Sequence, residues 1–155
     1  MRYATIAVAS VLLIVLSPRV SAQNLQWYKD QVERILDTSI HGTDLLARNF
    51  RELQGGGRQG WLRGSSTSQY QPSIYSLAEG YVYAFVGACD EDCDDLDFAL
   101  YGPNNELLVQ DNEPDDDPVI KHLVRTSGTY TLRATIPSCD SPSAGCYYGV
   151  RAYFK

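Results

Sequence analysis

The chain has 155 residues, of which 19 are acidic and 13 basic, giving a net charge of −6 at neutral pH. That balance argues against a nucleic-acid partner, because neutralising phosphates requires a basic face. The length suits one ordinary domain able to bury a core of its own.

Arg2, the short apolar run Ile6 to Leu16, and the small residues Val20-Ser21-Ala22 have the layout of a secretory signal peptide over residues 1–22. The run is too short to span a bilayer, which needs about 20 apolar residues. No membrane span is expected after cleavage, and a secreted or periplasmic location follows. Removing Arg2 and Arg19 takes no acid with it, so the mature chain is more acidic still.

From Asn24 to Leu53 the apolar residues Leu25, Tyr28, Val32, Ile35 and Leu36, then Leu46, Phe50 and Leu53, recur three or four apart, the period of an amphipathic helix. Asp30 with Arg34, and Arg48 with Glu52, place opposite charges one turn apart. Capping residues around His41 allow two helices instead of one. A helical segment over 23–54 is expected to pack on the domain body. Gly55-Gly56-Gly57-Arg58-Gln59-Gly60 then reads as a linker over 55–60, lacking the Lys-Ser/Thr of a phosphate loop.

Beyond Trp61 the period becomes two. Strands are expected at Gly60 to Arg63, Ser73 to Leu77, Tyr81 to Ala88, Leu96 to Tyr101, Leu107 to Gln110, Val119 to Val124, Thr129 to Ile136 and Tyr147 to Phe154. In Thr129 to Ile136, Tyr130, Leu132, Ala134 and Ile136 share one face while Thr131, Arg133 and Thr135 share the other, so this strand has one wet side. Turn residues separate the runs, among them Gly102-Pro103-Asn104-Asn105 and Ser141 to Gly145. Many short strands with no intervening helix predict a mainly β fold, an antiparallel β-sandwich over 61–155.

All four cysteines, Cys89, Cys93, Cys139 and Cys146, lie in the C-terminal half. An even count in an exported chain argues for two disulfides. Four cysteines allow three pairings, of which Cys89 with Cys93 and Cys139 with Cys146 are the simplest local staples. Zinc-site spacing is missing.

The segment Asp95-Leu96-Asp97-Phe98-Ala99-Leu100-Tyr101-Gly102-Pro103-Asn104 resembles the signature of the bacterial pre-peptidase C-terminal domain, in which an Asp-x-Asp-x-x-Leu strand runs into a turn. Ser127-Gly128-Thr129-Tyr130-Thr131-Leu132 is similar to its Gly-x-Tyr strand, and Tyr148-Gly149-Val150 to its last strand. Asn104-Asn105 stands where that family commonly has a turn glycine. The resemblance spans roughly Trp61 to Lys155 and implies a jelly-roll-like sandwich in a secreted accessory role. Some relatives of that fold bind calcium, collagen or polysaccharide through loops.

Six carboxylates crowd the stretch from Asp90 to Asp97, a density that self-repels unless screened. A second acidic run spans Asp111 to Asp117. Calcium takes six to eight oxygen ligands, and Asp90, Asp92, Asp94, Asp95, Asp97, Asp111 and Asp115 are its candidate set. Asp95 and Asp97 share a face of an extended chain. An EF-hand is excluded, since neither run has its glycine or its final glutamate. Solvated turn-capping is the alternative reading of the same acids.

Eleven tyrosines are available for packing or recognition. In the last strand Tyr147 and Tyr153 lie on the face opposite Tyr148, Val150, Ala152 and Phe154, so one set faces away from the core. Tyr147 and Tyr153 are candidate binding residues, for a polysaccharide or an extracellular protein. Only two histidines occur, His41 and His122, neither beside a nucleophile motif. The expectation is a non-catalytic binding or accessory module, with a structural envelope protein as the alternative and a hydrolase less favoured.

Overall fold

The computed structural model describes residues 22–62, 70–140 and 145–155. The expected signal peptide falls outside these residues apart from Ala22, as do Arg63 and residues 141–144 of the expected last turn. Two helices, α1 (Ala22–Thr38) and α2 (Ile40–Ala47), precede nine strands. These are β1 (Arg51–Glu52), β2 (Arg58–Leu62), β3 (Gln71–Leu77), β4 (Val82–Cys89), β5 (Cys93–Tyr101), β6 (Leu107–Asp111), β7 (Val119–Leu123), β8 (Gly128–Cys139) and β9 (Cys146–Phe154).

The strands form two antiparallel sheets packed face to face. One is five-stranded, with β1 and β2 along the same edge of β9, followed by β4 and β7; the other runs β3-β8-β5-β6. The pairing is nested: β2 with β9, β3 with β8, β4 with β7 and β5 with β6. This is one long hairpin, reversed at Gly102 to Glu106 and rolled up so that β4 also meets β9 and β5 also meets β8. That arrangement is the jelly roll. At the reversal Asn105 adopts φ 60°, so asparagine fills the left-handed position where glycine is the usual choice.

Between the sheets lies one core, which includes Phe85, Leu96, Phe98, Leu100, Leu132, Ile136, Tyr148 and Val150. A second cluster lies on the outer face of the five-stranded sheet, where Val32, Leu36 and Leu45 of the helices cover Ala84, Val86, Ala88, Tyr147 and Tyr153. β4 and β9 are therefore buried on both faces, which accounts for the unbroken apolar run of β4. Small residues let α1 come close: a Cβ on Gly149 would sit 2.6 Å from Val32 Cγ1 and 2.9 Å from Leu36 Cδ1. Arg151 of β9 completes the dock through Glu33 at 2.8 Å and Asp37 at 2.6 Å. Burial opposes the Arg151 charge, but these two carboxylates outweigh it and hold its ionisation above the ordinary range.

The helical segment differs from expectation in its second half. Ser39 breaks the run and caps α2, its hydroxyl accepting from Gly42 N–H at 3.4 Å. The break changes the phase, so Leu45 is buried while Leu46, expected on the apolar face, is exposed. Asn49 ends the helix at φ 66°, and Phe50 to Leu53 leave it, Arg51–Glu52 becoming a short strand on β9. Arg48 pairs with Asp44 at 2.8 Å rather than with Glu52. The glycine-rich stretch is not a free linker either. Arg58, Gln59 and Gly60 belong to β2, opposite Val150, Gly149 and Tyr148, and Gln59 bonds to Glu33 of α1.

The close approach of α1 to β9 yields a test. Gly149→Ala should cost about 1–3 kcal/mol by overpacking, read by urea and thermal unfolding. Val32→Ala in the same chain should recover part of that loss, because it removes the nearest clashing methyl.

Candidate functional site

Both disulfides are formed, Cys89–Cys93 and Cys139–Cys146, with Cα separations of 5.9 and 6.0 Å. Each joins the end of a strand in one sheet to the start of a strand in the other. Cys93 and Cys139 are partners in the β5–β8 ladder, so the two bridges make one clasp at a single pole of the sandwich.

The seven candidate calcium carboxylates do not share one site. Asp90 is 1% exposed in the turn after β4. Its backbone N–H donates to the Tyr147 carbonyl at 2.9 Å, and its Oδ2 accepts from Tyr147 N–H at 2.7 Å. Its Oδ1 is buried without a partner. Burial pushes Asp90 up to about 6 against the pull of the Tyr147 amide, and Asp92 and Glu91 add to the rise. Asp92 accepts from Asp140 N–H through its carbonyl at 2.7 Å and meets the Tyr28 hydroxyl through its side chain.

The rest of the set lies along β5 and its neighbours. Asp94 accepts from the Ser138 hydroxyl at 3.4 Å. Asp95 has a buried Oδ1 with no partner, and its carboxyl is raised by burial and then by Asp115. Burial and Asp95 push Asp97 up to about 6, with smaller contributions from Asp111 and Asp115; the Thr135 hydroxyl, 3.4 Å away, opposes them. The hairpin does bring Asp111 beside Asp97, since Asp111 pairs with Phe98. Its carboxylate is committed to the loop, accepting from Val119 N–H at 2.8 Å and Glu113 N–H at 3.3 Å. Asp115 is exposed, and its carbonyl accepts from Leu96 N–H at 2.8 Å. Among the described residues no three His, Cys, Asp or Glu side chains converge to hold a metal ion.

Tyr147 and Tyr153 point away from the inter-sheet core, as their register requires, but they are not an exposed aromatic face. They are 3% and 2% exposed beneath the helices. Tyr147 donates to Gln59 Oε1 at 2.7 Å and packs edge-on against Trp61, while Tyr153 lies under Gly42.

The outward side of the four-stranded sheet carries the feature that sequence reading did not single out. There a cleft of about 370 Å³ is lined by Tyr70, Asp97, Tyr101, Gln110, Arg133 and Thr135, among others. The Arg133 guanidinium carbon stands 3.8 Å from the Tyr101 ring centre and 4.6 Å from that of Tyr70. Asn105, in its left-handed turn, accepts from Arg133 at 2.8 Å and fixes the plane of the group. Alternation along β8 had already assigned Arg133 and Thr135 to a wet face; the pairing of Ala99 with both Arg133 and Gln110 brings three strands into one surface.

His122 lies in a separate cleft of about 330 Å³ with Glu106, Ser127 and Tyr130. These groups are engaged elsewhere. Ser127 accepts from Glu79 N–H, Tyr130 donates to the Thr126 carbonyl, and Glu106 accepts from Asn104 N–H. Among the described residues none forms the nucleophile–base hydrogen bond that covalent catalysis uses. Burial and then Arg125 lower the His122 pKa. His41 is paired with Asp117 at 3.2 Å.

No family model matches the chain, and no curated protein matches it. Among the described residues no helix is long and apolar enough to cross a membrane.

The raised carboxylates define a pH response. A folded pKa of about 6 at Asp90 and Asp97 lies above the unfolded value near 4. Their contribution to stability is then fully present below about pH 4 and is lost as pH rises through about 6. Melting temperature should increase on going from pH 7 to pH 5. Asp97→Asn should raise the pH 7 value by a few degrees and flatten the profile, and an unchanged profile would show that Asp97 titrates normally.

Proposed function

We propose that this chain is a non-catalytic binding module of an oxidising compartment, secreted or periplasmic, and that it takes a polysaccharide in the cleft on the outward side of the four-stranded sheet. The observation that carries this reading is the Arg133 guanidinium placed over the rings of both Tyr70 and Tyr101 beside Asp97. Fixed planar donors, a carboxylate acceptor and the amides of Gln110 and Asn112 offer the mixture of groups that adjacent sugar hydroxyls use, and tyrosine rings supply apolar contact without losing a polar edge. The signs of charge are mixed there: an anion would meet Asp97 and a cation would meet Arg133. An uncharged polyhydroxylated chain meets neither penalty.

Two further features support the reading. The two disulfides suit export, and the likeness of the β5 and β8 segments to the pre-peptidase C-terminal signature agrees with an accessory role.

Affinity electrophoresis of the chain through gels containing neutral or acidic polysaccharides tests the proposal. Retention should occur with at least one neutral polymer. Arg133→Ala or Tyr101→Ala should weaken it about tenfold or more, corresponding to ~1.4 kcal/mol, while Lys121→Ala on the other sheet leaves it unchanged. Because the ionised Asp97 carboxylate accepts stronger, charge-assisted hydrogen bonds than its protonated form, retention should also fall as pH drops through about 6. Retention untouched by either cleft substitution would overturn the assignment.

A further inference from the structure

The cleft at Arg133 occupies only part of the outward side of the four-stranded sheet, and the strand register extends it. Arg133 stands opposite Pro72 on one side and Ala99 on the other, and Ala99 stands opposite Gln110, so these four residues make a row across β3, β8, β5 and β6. Two residues along, Thr131 is opposite both Ile74 and Tyr101, and Tyr101, beyond the bulge, is opposite Leu107. Directly paired residues share a face. A second row, Ile74, Thr131, Tyr101 and Leu107, therefore lies outward beside the first. Ile74 is 55% exposed and Leu107 50%.

The rows differ in chemistry. The first holds the Arg133 guanidinium, whose Nε is shielded from water and among the described residues has no acceptor, an unmet donor of a kind that folded chains seldom leave. The second is apolar at both ends and at Tyr101, which also belongs to the cleft wall. At the β3 edge Pro72 has no N–H to give, and the Ile74 carbonyl accepts from Arg58 at 3.4 Å, so this surface suits a ligand laid on its face better than an added strand. Neighbouring strands lie about 4.8 Å apart, which makes each row roughly 14 Å long. An extended sugar chain advances by a comparable step per ring, with C–H groups on its ring faces and hydroxyls along its edges.

We propose that the apolar row continues the cleft, and that the ligand is an extended β-1,4-linked neutral glycan lying across the strands, its ring faces on Ile74, Tyr101 and Leu107 and its edge hydroxyls towards Arg133 and Gln110. This rests on the polysaccharide reading of the cleft and adds to it a direction, a linkage and two contact residues. A coiled α-1,4-linked chain turns away from so straight a row.

Calorimetric titration of the chain with β-1,4-linked gluco- and manno-oligosaccharides of two and of five rings, and with α-1,4-linked glucose oligomers of the same lengths, tests the proposal. Five β-linked rings should bind about tenfold or more tighter than two. Ile74→Ala and Leu107→Ala, both at exposed positions, should each remove most of that difference and leave two-ring affinity unchanged, whereas Arg133→Ala weakens both lengths. Two-ring binding through Arg133 with no gain from length, or a gain that Ile74→Ala and Leu107→Ala both leave intact, overturns the row and leaves the cleft reading standing. Equal affinity for five α-linked rings overturns it too. If no β-linked oligomer binds, the row is wrong, and retention on other neutral polymers decides the cleft separately. A dimer in sedimentation that Ile74→Ala or Leu107→Ala dissociates would overturn the proposal in favour of self-association.

Discussion

The clasp at one pole is the constraint on which the rest of the molecule depends. A jelly roll must carry its chain from one sheet to the other repeatedly, and here two such crossings, β4 to β5 and β8 to β9, are closed by disulfides side by side. The closed loops are short, with sequence separations of 4 and 7. In the chain-entropy model so short a loop contributes about 2 kcal/mol, modest beside what a long loop would give. What the pair supplies is position. With Cys93 opposite Cys139 and Asp90 bonded twice to Tyr147, the turn between β4 and β5 has no room to spread, and its carboxylates stay together despite their repulsion.

The same pole sets how the two faces of the sandwich are used. Because β4 and β9 sit in the middle of the five-stranded sheet and are apolar on both sides, that sheet needs a cover, and the two helices provide it. Ala84, Ala88 and Gly149 make the surface low enough for α1 to lie on, and Arg151 is charge-matched to Glu33 and Asp37. The four-stranded sheet alternates instead. Asp97, Tyr101, Arg133 and Thr135 stand outward while Phe98, Leu100, Leu132 and Ala134 stand inward. One sheet thus holds the N-terminal segment, and the other keeps a polar outward side.

Much of this was legible in the chain. Period-two alternation located all eight strands of the jelly roll to within a few residues, because each has at least one buried face that fixes its phase. The missing strand, Arg51–Glu52, is two residues long and has no pattern of its own; only its pairing with β9 defines it. Gly55 to Gly60 read as a linker because glycine content carries no information about a partner strand, and Tyr148 and Gly149 across the ladder decide the matter. The tyrosines of β9 were assigned to the correct side, yet their burial depended on helices about a hundred residues earlier in sequence. The cleft was hidden for the same reason. Arg133, Tyr101, Gln110 and Asn105 come from three strands and a turn, and nothing local to any of them marks the others.

The character of the cleft on the four-stranded sheet is finally a matter of charge balance. Along the outward side of β5, acids that push one another towards protonation lie near the Arg133 guanidinium, which among the described residues is stacked on two rings and in no ion pair. A stacked arginine keeps hydrogen-bond donors at its edge, so the cleft remains polar without acquiring a dominant sign.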